Sequence, residues 1–153
     1  CDSDRGAEGQ VTILDAFAVI ALLKGEPAAA EVERLIEHGG CALTTLGVAE
    51  VVDHLVRVVG AAEEDAVLDV AQLGLEPPVP LDEAAATQAA LLRARHYHRR
   101  NRAVSLADCV VAQVACSAVA AVATSDPHLL DLCRDEVISR IPLADSTGAT
   151  WPA

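Results

Sequence analysis

Aromatic side chains are almost missing: the chain has one Trp, one Tyr and one Phe in 153 residues. Its core cannot be organised around rings, so Ala, Val, Leu and Ile must fill it. Apolar residues make up 52% and charged residues 22%, which excludes a disordered chain. The length suits one domain with a real core, and the composition favours helices laid on a short Val/Ile-rich sheet. A C-x-x-C pair is also lacking. The five cysteines stand at 1, 41, 109, 116 and 133, an odd set that gives no support for zinc. Cys41, Cys109 and Cys116 lie in apolar stretches, read as small buried hydrophobes, and fit a reducing cytoplasm. There is no long apolar run either. The longest charge-free segment, Cys109 to Ser125, falls short of the ~20 residues a membrane span needs and contains Gln113 and Ser117. It reads as a helix followed by a strand. Residues 1–10 are polar and acidic, so we expect a flexible arm and no signal peptide. The chain opens on Cys and has no Met, so we expect its natural start to be missing or processed.

Positive charge is scarce too. The net charge is −12, which in bulk argues against a nucleic-acid binder, because phosphate contacts need Lys and Arg. The distribution softens this. Arg93, Arg95, Arg99, Arg100 and Arg102 crowd into one stretch with His96 and His98 between them. An acidic body with one basic strip can still grip a phosphate backbone locally; a solvated helix end is the plain alternative.

What is present is an alternation of short apolar runs and helical periodicity. Val11 to Leu14 reads as a strand stopping at Asp15. Ala16 to Lys24 and Ala28 to His38 read as helices closed by Gly25-Glu26-Pro27 and Gly39-Gly40. Cys41 to Thr44 is a second strand. From Thr45, the set Val48, Val51, Val52, Leu55, Val56 and Val59 keeps helical spacing until Gly60. Ala61 to Leu73 is another helix. Pro77, Pro78 and Pro80 leave room only for a short edge strand near Val79. Asp82 to about His98 and Ser105 to about Ala118 are helices, and Ala121 to Thr124 is a buried strand. Pro127 to Cys133 makes one or two helical turns, Val137 to Ile141 a last strand. The domain is expected over 11–143, with a tail at 144–153. Such alternation implies parallel pairing with right-handed crossovers, and sites at the carboxyl ends of the strands.

Four acids occupy special places in this plan. Asp15 ends the first strand and Asp126 follows the strand at 121–124. Glu50 lies in the helix leaving the second strand, and Asp108 in the first turn of the helix beginning at Ser105. All four can meet at one sheet edge. Carboxylates so gathered repel unless something positive sits among them. A hard divalent cation, Mg²⁺ or Mn²⁺, takes oxygen ligands, and the chemistry it supports is phosphodiester hydrolysis. Each acid also has a local explanation. Asp15 can cap a helix, Ser105-Leu-Ala-Asp108 matches a capping box, and Asp126-Pro127 is a strong helix start. Caps do not explain Glu50 inside Val48-Ala49-Glu50-Val51-Val52, where a carboxylate is costly without a partner.

These segments resemble the four acidic motifs of PIN-domain ribonucleases. Ile13-Leu14-Asp15-Ala16 is similar to the first, and Thr44-Thr45-Leu46-Gly47-Val48-Ala49-Glu50-Val51 to the second. Ser105-Leu106-Ala107-Asp108-Cys109 is similar to the third, with Asp-Cys where Asp-Ala is usual. Val122-Ala123-Thr124-Ser125-Asp126 is similar to the fourth. The resemblance covers about residues 11–142. It implies a three-layer α/β/α fold around a parallel sheet of four or five strands, and a Mg²⁺- or Mn²⁺-dependent endoribonuclease. At this size it looks most like the VapC toxins of VapBC toxin–antitoxin pairs. That implies a homodimer, an RNA substrate, and a VapB-like antitoxin whose tail crosses the acidic groove.

On this resemblance Asp15 and Asp108 are the most direct metal ligands. Glu50 and Asp126 complete the site directly or through water, and Thr124 is a supporting hydroxyl. Ser125 is a weaker candidate, and Asp131 reads better as a surface turn residue. Arg99, Arg100 and Arg102 are expected to hold RNA phosphates. Two other readings compete. A haloacid-dehalogenase-like phosphatase would also carry an Asp after its first strand, but Asp15-Ala16-Phe17 lacks a second Asp two residues on, and the only Lys is Lys24. A non-catalytic PIN-like interaction module would keep the fold and use the acids as helix caps.

Overall fold

In the computed structural model, which describes residues 11–152, four parallel strands form one sheet in the order β2-β1-β3-β4. They are β1 (Thr12–Leu14), β2 (Cys41–Ala42), β3 (Ala121–Thr124) and β4 (Arg140–Pro142). Seven α-helices accompany them among the described residues: α1 (Ala16–Lys24), α2 (Ala29–Glu37), α3 (Thr45–His54), α4 (Glu63–Ala71), α5 (Glu83–His96), α6 (Leu106–Ala118) and α7 (Pro127–Asp135).

Side chains alternate across a strand, so each short apolar run serves two layers at once. Ile13, Ala42 and Val122 face a core built with Leu92, Val110, Val111, Leu129 and Leu132 of α5, α6 and α7. Their neighbours Leu14, Cys41 and Ala123 face a second core with Val19, Ile20, Val32, Val51 and Ala66 of α1 to α4. The result is the expected three-layer α/β/α arrangement. Both faces are covered, which is why β1, β2 and β3 are buried at every position rather than at alternate ones.

Strand order also locates the site. From β1 the chain crosses to β2 on one side, and later returns to place β3 on the other side of β1. The switch point therefore falls between β1 and β3, whose carboxyl ends are Leu14 and Thr124.

Several boundaries differ from expectation for local reasons. The helix expected from Thr45 to Gly60 is α-helical only to His54; Leu55–Val59 is a π-turn, closed by Gly60 at φ 82°. Beyond the two-residue β2, Thr44 pairs with Val79 in a single parallel bridge, the short edge expected there. The helix ending in the basic strip stops at His96, because Tyr97 is extended. The last strand starts at Arg140 and not at Val137: α7 runs on to Asp135, and Val137 turns the chain at φ 57°. Val119 does the same before β3, at φ 52°. Two β-branched residues in this region are a real backbone strain. The tail folds back through an Ala144–Thr150 bridge around the Asp145 carboxylate, which accepts from the Thr147 and Ala149 amides. The arm expected at 1–10 lies outside the described residues. No helix among those described is long and apolar enough to cross a membrane.

Candidate metal centre

The four acids reach one edge from four different segments. Asp15 sits just past β1, its amide bonded to the Ala123 carbonyl of β3 (3.1 Å). It occupies the N-cap position of α1, yet its side chain makes no cap hydrogen bond. Instead Asp15 Oδ2 accepts from the buried Thr124 hydroxyl, 2.9 Å away and 109 residues distant in sequence. Thr124 Oγ1 in turn accepts the Asp126 amide (3.0 Å). One hydroxyl thus fixes both acids at the end of β3.

Asp126 and Asp108 do act as caps, and this does not consume them. Asp126 Oδ1 accepts the amides of His128 (2.7 Å) and Leu129 (3.4 Å) at the start of α7. Asp108 Oδ2 accepts the Ser105 amide (2.6 Å) while Ser105 Oγ accepts the Asp108 amide, a complete capping box. In each case a single oxygen carries the local bonds. The other oxygen of Asp15, Asp108 and Asp126 takes no hydrogen bond from the described residues. Glu50 comes from the second turn of α3, which Thr44 caps through the Gly47 amide (2.9 Å).

The acids affect one another's charge. Asp15 is 4% exposed, and burial raises its pKa to about 7, with the charges of Asp108, Glu50 and Asp126 adding to the rise against the lowering Thr124 bond. Burial is the leading cause for Glu50 as well, followed by Asp108. Asp108 is also raised, first by burial, while its cap bonds and His128 pull the other way. None of the four acids forms an ion pair among the described residues; the carboxylates that do are Glu26, Asp53, Asp131, Asp135 and Glu136.

The carboxylate oxygens of the set suit a hard cation, although the imidazoles of His128 and His54 stand near Asp108 and Glu50. Among the described residues, however, no three His, Cys, Asp or Glu side chains stand close enough together to form a ready-made metal-binding group.

The arginines fare differently. Arg102 lies against Asp135 (2.6 Å) and donates to His96 Nδ1 (2.9 Å), while His96 Nε2 meets Glu136. Asp135 ends α7, nine residues after Asp126, so this anchor is about 13 Å of helix away from the acids. Arg93 donates to the Val104 carbonyl and lies over the Tyr97 ring. Arg99 and Arg100 are exposed in the turn. Ser125 is half-buried beside the site, and Asp131 is paired with Arg134. The larger hollows, of about 440 and 490 Å³, are apolar grooves beside α3–α4 and α5–α6, and none of the four acids lines them.

Three neighbours were not foreseen. His128 adjoins Asp108, and its only sequence signal is its place in the first turn after Asp126-Pro127. Phe17 and His54 border Glu50 in a small hollow; the i, i+4 spacing of Glu50 and His54 was the available clue.

The chain matches known proteins in family and in fold. Residues 12–135 match the PIN domain family, and the chain belongs to that family. PIN domains are in general nucleases and generally use divalent metal ions. Among solved structures, a chain of FitAcB from Neisseria gonorrhoeae is similar at 18% identity, with 86% of this chain and 96% of that one covered and a TM-score of 0.64. VapBC2 from Rickettsia felis, bound to a DNA fragment from its promoter, aligns at 16% identity over 86% and 97% of the two chains, with a TM-score of 0.63. PAE2754 from Pyrobaculum aerophilum gives 20% identity over 83% and 87%, with a TM-score of 0.59. At these identities the likeness is one of fold. No curated protein matches the chain.

Proposed function

We propose that the chain is a metal-dependent endoribonuclease, and that it serves as the toxin of a toxin–antitoxin pair. The observation that carries the nuclease reading is Asp15: a buried carboxylate, raised to about 7, surrounded by three more acids with no cation among them. Asp15, Glu50, Asp108 and Asp126 would hold Mg²⁺ or Mn²⁺. When bound, the ion supplies a more acidic water and charge stabilisation on a phosphodiester.

The chain's own contribution is positioning. Thr124 orients Asp15 and the Asp126 backbone together; the α6 capping box fixes Asp108; and the second turn of α3 carries Glu50. Asp15, Asp108 and Asp126 each keep one oxygen without a hydrogen bond from the described residues, because the bonds they accept use only the other. Substrate phosphate would be drawn toward the cleft by Arg99 and Arg100, which are exposed, with Arg102 holding the turn that presents them.

The toxin role draws on the fold it shares with chains from FitAcB and VapBC2, the latter a toxin–antitoxin pair. We infer a VapB-like antitoxin partner, a homodimer and a cytoplasmic setting by the same route.

The deciding experiment is cleavage of a mixed cellular RNA pool by the purified chain. Cleavage should need Mn²⁺ or Mg²⁺, stop in EDTA, and be lost in Asp108→Asn with folding intact. Cleavage that survives EDTA sinks the mechanism. Inertness in every metal would leave a binding module. Separately, induced expression should arrest growth; unimpaired growth would remove the toxin role and leave the nuclease standing.

A further inference from the structure

The only Phe of the chain stands two residues after Asp15 and is 59% exposed. A single exposed apolar side chain means nothing by itself. Three observations set Phe17 apart. Its ring meets the ring of His54 edge to face, with centroids 6.0 Å apart and planes at 77°. His54 Nε2 is buried and has no hydrogen-bond partner, so packing against neighbours, not a polar bond, holds the imidazole in place. The two rings border an open hollow of about 140 Å³ whose wall includes Glu50, a member of the acidic quartet. Glu50 and His54 are four residues apart and share one face of α3. The π-turn starts at the next residue, Leu55, and such turns recur at functional sites. The hollow therefore opens beside Glu50, with a largely exposed aromatic ring at its rim.

We propose that Phe17, braced edge-on by His54, is the stacking platform for the base of a nucleotide next to the cleaved phosphate. This rests on the ribonuclease reading above. Every base has a flat π-face, and a stacked base next to the acids would set how the strand enters the cleft. Phe17 would then contribute to substrate choice, and His54 would be a positioning residue acting through it. No part of the basic turn is required.

The test uses the full chain with Mn²⁺ and short single-stranded RNAs, each carrying one abasic nucleotide near the cleaved bond. Removing the stacked base should raise KM by roughly 5- to 150-fold at one position only. Phe17→Leu should raise KM on intact RNA by a similar factor, leave kcat almost unchanged, and erase the penalty at that abasic position. Phe17→Trp should keep both. His54→Ala should raise KM less, and add little when combined with Phe17→Leu, as expected of a residue acting through the ring. A 2-aminopurine at the sensitive position should be quenched on binding to the unaltered chain. That readout decides the matter if Phe17→Leu folds poorly. Wild-type KM and an unchanged abasic profile in a folded Phe17→Leu, or absence of quenching, overturns the platform while the nuclease stands. If the unaltered chain cleaves no RNA with Mn²⁺, the ribonuclease reading falls and the platform falls with it.

Discussion

Charge is handled in opposite ways at two places in this molecule. In the turn at 97–104 and the helix ends beside it, polar groups find partners within the chain: Arg102 pairs with Asp135, and His96 Nε2 meets Glu136. At the carboxyl ends of β1 and β3, four carboxylates lie near enough to affect one another's charge, and none has a cationic side chain in an ion pair among the described residues. The turn is finished by its own chain. The cleft is not, and burial raises that cost at Asp15 in particular. A buried carboxylate with no cationic partner and a raised pKa is the kind of group found at functional sites, which is why we place the proposed chemistry at this edge and not at the basic strip.

That contrast can be broken most decisively at the acids. Asp15→Asn and Asp108→Asn should each reduce metal-dependent RNA cleavage to background, read by product formation from a fixed RNA pool. Arg102→Ala should retain cleavage. Equal losses in all three would erase the distinction.

The second largest effect concerns stability against pH. Asp15 is raised in the folded state from 3.8 to about 7, so the folded chain binds more protons than the unfolded one between these values. Stability of the metal-free chain should therefore fall as pH rises from about 4 to about 7, by on the order of 4 kcal/mol from this group. Urea melts in EDTA across that range check the sign. Asp15→Asn should flatten the slope and be more stable than the parent at pH 7.5, although it is inactive. A parent that gains stability with pH through this window would refute the assignment.

Metal should reverse part of that cost. Mn²⁺ at about a hundredfold its dissociation constant should stabilise the chain by roughly 3 kcal/mol, seen as a higher melting temperature, and Asp15→Asn should abolish the shift.

The basic turn should give the smallest changes. Arg102→Ala removes a half-buried pair and leaves His96 without its donor, a loss of about 1–2 kcal/mol in a denaturant melt, with the Mn²⁺ shift intact. Arg99→Ala and Arg100→Ala should change stability by less than about 0.5 kcal/mol and raise KM mainly at low salt.

Much of this was legible in residues that act locally. The Ser105–Asp108 box and the Asp126-Pro127 start are hydrogen bonds within three residues, so sequence spacing is enough to see them. The Thr44 cap is equally local, but in the sequence Thr44 reads as the end of a strand. The misplaced start of β4 has a local cause that spacing hides: a Val adopting the left-handed region that glycine usually fills. Arg102 looked free because its partners, Asp135 and His96, are brought to it by α7 and α5 packing on α6.

The sequence by itself determined the elements, their caps, and the placing of four acids at element ends, because helix and strand periods are set by neighbours a few residues apart. Only the tertiary structure decided that Asp15 bonds Thr124 instead of capping its own helix, that the acids share a cleft, and that Phe17 stands open beside it. Those outcomes depend on the order β2-β1-β3-β4 and on contacts more than a hundred residues apart, for which the closing of the sheet, not any local preference, supplies the free energy.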